Sequence, residues 1–77
     1  MTNTETVELP ELTEHQGFMF ARNDATRRSA LMQCSWSELD VMLERARDSR
    51  RNYERGSFEH GLVRGYIRLI IETMESI

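Results

Sequence analysis

Residues 61–77, GLVRGYIRLIIETMESI, constrain this chain more than any other stretch. Val63, Tyr66, Ile67, Ile70 and Ile71 favour strands by residue type, so the period has to decide. At about 100° per residue, Arg64, Arg68, Glu72 and Glu75 fall on one narrow stripe and the large apolar residues fall elsewhere. On a strand Glu75 leaves that face, and Leu62, Tyr66 and Ile70 join the arginines. Only the helix separates polar from apolar. Its apolar arc spans roughly 200°, about twice the stripe that one neighbouring helix covers. Val63, Ile67, Ile70, Met74 and Ile77 form one seam, and Leu62, Tyr66, Leu69 and Thr73 a second. Such a helix needs more than one packing neighbour.

One neighbour is written immediately upstream. Ser35 followed by Glu38 is a capping box, and it opens a predicted helix over about 36–55. Trp36, Leu39, Leu43, Ala46 and Tyr53 repeat at heptad-like spacing with Met42 alongside, broken once at Arg50. Glu44 with Arg47, Asp48 with Arg51 and Arg50 with Glu54 stand at helical pairing distance. Gly56 suits the left-handed position past a helix end, and Ser57 suits the N-cap of the next helix. A two-residue turn would then join 36–55 to 58–76 as an antiparallel hairpin. Upstream, Thr13 with Gln16 suggests a capped short helix, and Asp24 can cap another over residues 25–32. The run from Phe18 to Ala21 fits a strand or an extended arm equally well. The stretch 1–14 holds Glu5, Glu8, Glu11 and Glu14 and no positive charge, and residues 1–12 read as a flexible acidic tail. The expected class is therefore all-α: an acidic tail and one small helical domain over 13–77.

One seam on the first hairpin helix leaves much of the second helix's arc uncovered. Either residues 15–34 cover the surplus or a second chain does. The chain has 77 residues, and chains of this size bury only about 60% of their unfolded surface. With one cysteine, Cys34, no intrachain disulfide can form, and His15, His60 and Cys34 lack paired zinc-ligand spacing. A homodimer packed as a helical bundle is the expected supplement. Its interface would use Leu62, Val63, Tyr66, Ile67, Leu69, Ile70 and Met74, with Trp36, Leu39 and Leu43. Met32, Met42 and Met74 read as core fillers. Gly61 and Gly65 fall on the arginine stripe, not in the apolar seams, so the wheel argues against a small-xxx-small motif within the core. They stand near a frayed helix start, admit another backbone, or floor a groove for a partner.

Chemistry is less visible. No phosphate-binding glycine loop, metal cluster or catalytic triad spacing occurs. Cys34 with His15 or His60 could form a nucleophile–base pair only if the fold joined them; an inert thiol and a surface His60 are the simpler expectation. No enzyme, cofactor or metal is expected. RARDSRRNYER holds five arginines in eleven residues, yet residues 36–55 are neutral overall and the chain carries a net charge of −3. That balance disfavours a phosphate-tracking surface. Arg47, Arg51, Arg55, Arg64 and Arg68 remain the candidate contacts for an acidic partner or for phosphate. No apolar run of about 18 residues is present, so no membrane span is expected. The opening residues lack a secretory signal's basic start and apolar core, and the expected location is the cytoplasm. The functional expectation is a small non-enzymatic module that regulates, inhibits or chaperones a larger protein. A DNA-binding or transcription-associated dimer is the alternative. In size and charge the chain is similar to phage-encoded host inhibitors and secretion-system chaperones, with no residue motif specific to any family.

Overall fold

A computed structural model describes residues 11–77, which form four helices: α1 (Glu14–Arg22), α2 (Ala25–Met32), α3 (Trp36–Arg50) and α4 (Phe58–Glu75). The acidic segment 1–10 lies outside the described residues. Each helix opens on an oxygen-bearing side chain. Thr13 and Ser35 form complete capping boxes with Gln16 and Glu38, and Asp24 and Ser57 accept from Arg27 N–H and His60 N–H. All four caps were legible because each needs only two residues three apart.

α4 is the hub. On one side α2 and α3 bury Leu31, Leu39, Leu43 and Ala46 against Ile67, Leu69 and Ile70. Leu39 and Ile70 are wholly buried. Thr73 belongs to this interior too, its hydroxyl satisfied by donating to the Leu69 carbonyl at 2.8 Å. α2 closes the core over Tyr66, where the Arg27 guanidinium lies 4.6 Å from the ring centroid.

On its other side α4 receives α1. A Cβ at Gly61 would fall on the carbonyl oxygen of Glu14, and one at Gly65 on that of Phe18 and 2.9 Å from the Ala21 Cβ. A Cβ at Gly17 would fall on the Phe58 carbonyl and 2.9 Å from Leu62 N. The two helices thus touch backbone to backbone through Gly17 and Ala21 on α1 and Gly61 and Gly65 on α4, small residues four apart on each. Glu14 lies over Gly61, Phe18 over Gly65, and Arg22 pairs with Glu72 at 2.6 Å, so the helices run parallel. This corrects the wheel argument against a small-xxx-small motif. The motif is real; it lies outside the apolar seams, on the arginine stripe, where only removal of the side chain lets a second helix approach this closely. The residues beside it reach past that contact to pair with charges on α1.

Several other expectations are corrected. α3 stops at Arg50, not at 55, because Ser49, Arg50, Arg51 and Asn52 carry nothing apolar to bury. The joint to α4 is therefore a seven-residue loop, 51–57, and not a two-residue turn. Gly56 within it has φ +90°, as a left-handed glycine should. Tyr53, assigned to the seam, sits exposed in this loop, and Trp36 and Met32 are exposed as well. None of the three surface ion pairs expected around α3 forms. Of the residues assigned to a dimer interface, Ile67, Leu69, Ile70, Leu39 and Leu43 are buried within the single chain. Leu62, Val63, Tyr66 and Met74 are half-buried. The segment 15–34 forms two helices; α2 covers part of the surplus arc, at Tyr66 and through Leu31, whereas α1 lies on the glycine stripe.

Candidate functional site

The loop 51–57 and the ends of α1, α3 and α4 meet around an open groove of about 730 Å³ lined by Arg50, Arg51, Tyr53, Arg55, Arg64, His60 and Glu14. Its construction follows from local sequence. The polar run that ends α3 leaves Arg50 and Arg51 at the rim, and the Asn52 and Tyr53 amides donate to Ser49 and Arg50 carbonyls to round off the helix. Gly56 then reverses the chain so that Arg55 faces the start of α4.

Glu14 ties the base of the groove together. One carboxylate oxygen accepts the Gly56 N–H at 2.6 Å and lies 3.1 Å from His60 Nδ1, and the other accepts from Arg64 Nη1 at 2.5 Å. The Arg64 guanidinium, the Gly56 N–H and the nearby His60 ring hold the Glu14 carboxyl below its ordinary value. One side chain from the first turn of α1 thus anchors the loop and α4 together. Arg64 also stands 5.4 Å from the centroid of the Phe18 ring, and Arg22 lies 6.0 Å from it, within cation–π range.

Four guanidinium groups line the groove and only one carboxylate does. Glu14 is matched to Arg64. Among the described residues Arg50, Arg51 and Arg55 have no ion-pair partner. A second, shallower depression of about 320 Å³ continues the surface through Arg50, Arg64, Arg68 and Phe18 to Ile67 and Ile71. Planar forked donors converging on an open depression suit carboxylate or phosphate oxygens, each bound by paired N–H donors.

Of the five candidate arginines, the fold gathers Arg51, Arg55 and Arg64 in the main groove and Arg68 in its extension. Arg68 there shares Glu72 with Arg22, at 3.5 Å. Arg47 is exposed on α3 and lines neither depression. Sequence reasoning missed four groove residues. Arg50 appeared as the break in the α3 seam and as a partner for Glu54, and the break was in fact the signal that this turn faces outward. Tyr53 was assigned to the core, Glu14 to the acidic end of the chain, and His60 to the open surface; His60 is buried against Glu14. No local pattern marks Glu14 and His60, because the partners of Glu14, His60 among them, lie 42 to 50 residues away.

The groove gathers charged and hydrogen-bonding side chains. Its histidine is engaged by Glu14, and Cys34 lies in a separate hollow with Leu31, Met42 and Tyr66 that no histidine lines. Among the described residues no three His, Cys, Asp or Glu side chains converge to hold a metal ion, and no helix is long and apolar enough to cross a membrane. The chain matches no protein-family model, no curated protein and no solved structure.

Proposed function

We propose that this chain is a non-enzymatic docking module that seats an acidic segment of a larger protein partner in the arginine groove, and regulates, inhibits or chaperones that partner by occupying it. The observation that carries the reading is the convergence of Arg50, Arg51 and Arg55, none ion-paired among the described residues, beside Arg64 and the exposed ring of Tyr53. Arginine and tyrosine are the residue types that concentrate binding energy at protein interfaces. An acidic segment fits better than a nucleic-acid duplex. The arginines ring one depression instead of tracking a stripe, α3 also exposes Glu44 and Asp48, and the chain is acidic overall.

The test is a titration of a labelled glutamate-rich peptide, and separately of duplex DNA, against the wild type and the Arg51→Glu/Arg55→Glu double variant. The peptide should bind the wild type and lose about tenfold or more in affinity with the variant. Equal peptide binding by both proteins overturns the reading. Duplex DNA bound with a salt slope of several units, and lost in the variant, transfers the groove to the DNA-binding alternative.

A further inference from the structure

The outer side of α1 differs from the rest of the surface. In a chain of which 30% is charged, the exposed residues along α1 are His15, Gln16, Met19 and Phe20, ending at the Asn23 cap, with no charged side chain among them. Phe20 is 66% exposed although it is a large aromatic, and Leu12, just before the helix, is 58% exposed. The Phe20 ring meets Phe58 edge-on at 6.3 Å, which makes a ridge from Leu12 past Phe58 to Phe20. Beside that ridge, on the same face, Gln16, Met19, Phe20, Asn23, Asp24 and Ala25 line an open hollow of about 630 Å³, with Asp24 its one charged residue.

We infer that a second copy of this chain covers the face, in an antiparallel two-fold contact of α1 on α1. A two-fold contact sets a patch against itself, so it needs a projection and a recess on the same patch. The Phe20 ridge and the hollow beside it supply both, each Phe20 seating beside the partner copy's Met19. A two-fold contact also brings any charge near the axis up against its own copy; Gln16, Met19 and Phe20 place none there, and the one charge lining the hollow, Asp24, stands past the end of α1 as the N-cap of α2. A basic or acidic partner would leave this face without its main means of recognition. The rims suit the antiparallel sense. Glu11, Glu54 and Glu59 outnumber Arg55 at the N-terminal end of the face. At the other end Arg28 donates to the Arg22 carbonyl at the close of α1, beside Asp24 and Arg27. Antiparallel packing places the acidic end of each copy over the Arg28 end of the other.

The contact is small. α1 has nine residues and so is about 14 Å long, which puts the buried area below the ~800 Å² per partner of a standard interface. The dimer is accordingly a reversible one, populated at micromolar concentration and above. It shares with the arginine groove only Arg55, at its rim, and Phe20 and Met19 line no part of that groove, so either can fail without the other.

Sedimentation of the full chain over a wide concentration range tests it. The weight-average mass should rise from one chain, 9.1 kDa, towards twice that value. Phe20→Glu should hold it at one chain throughout, with unchanged helical circular dichroism because Phe20 is exposed. Val41→Glu, at an exposed apolar position on α3, should dimerise like the wild type. A wild type that stays at one chain's mass at every concentration overturns the inference. So does a Phe20→Glu variant that dimerises as the wild type does, or a Val41→Glu variant that alone abolishes dimerisation.

Discussion

The two sides of α4 are packed by different means. Towards α2 and α3 the contact is between side chains, with Ile67, Leu69 and Ile70 set among Leu31, Leu39 and Leu43. Towards α1 it is between backbones, with Gly61 and Gly65 lying under the carbonyls of Glu14 and Phe18. A side-chain interface can shift a rotamer to absorb a change. A backbone interface has no rotamer to shift, so it is indifferent to hydrophobicity and intolerant of a single methyl group. The two sides of one helix should therefore respond oppositely to the same kind of mutation: shortening damages the first, lengthening the second.

The largest effect is expected on the side-chain face. Ile70→Ala empties a wholly buried site and should cost about 2–5 kcal/mol in urea unfolding. A loss below about 1 kcal/mol would mean that α2 and α3 collapse onto the gap, and that this face is the more plastic of the two. Next comes Gly61→Ala. A frayed or exposed glycine in a helix gains about 0.8–1 kcal/mol from this change. Here the new methyl meets the Glu14 backbone, and overpacking of about 1–3 kcal/mol should outweigh that gain. Net stabilisation by Gly61→Ala or Gly65→Ala would show that α1 does not lie on α4 at this distance.

A pH series sharpens the comparison, because the α1 face is pinned by charge and the core is not. The Glu14 carboxyl is held below its ordinary value near 4.5 first by Arg64, then by the Gly56 N–H, with His60 also facing it. A depressed carboxyl contributes its full stabilisation above the unfolded value and loses it as pH falls through the folded one. Thermal midpoints should fall between about pH 5 and pH 2, and Glu14→Gln should flatten that part of the curve. An unchanged curve in the variant would remove Glu14 as the pin. The smallest effect on stability belongs to Arg51→Ala and Arg55→Ala. Both residues are exposed and lack ion-pair partners among the described residues. They should change stability by no more than about 0.5 kcal/mol and weaken acidic-peptide binding.

The legibility of the sequence divides along the same line. The caps at Thr13, Asp24, Ser35 and Ser57 and the period of α4 were readable because they depend on neighbours within one or two turns. The groove was half readable. Arg51, Arg55 and Arg64 stood out by residue type, whereas Glu14 and His60 joined them only through contacts across the chain. The break at Arg50 carried information that was assigned to the wrong end, since the helix stopped there and did not continue to Tyr53.

What the sequence determined by itself is that 36–50 and 58–75 are helical, where four helices could begin, and that α4 needs more than one neighbour; the run from Phe18 to Ala21 it left open. These follow from hydrogen bonds and periodicities that close locally. The tertiary structure decided which neighbours those are. The side of α4 that carries Arg64, Arg68 and Glu72 looks solvated on a helical wheel, and an uncovered apolar arc looks like an invitation to a second chain. α1 answers the first by lying on the glycines between those charges, and α2 and α3 answer the second from within. A wheel records polarity and not the depth to which a backbone can approach. Glycine removes the side chain that would otherwise keep a second helix away, and a polar stripe becomes an interface.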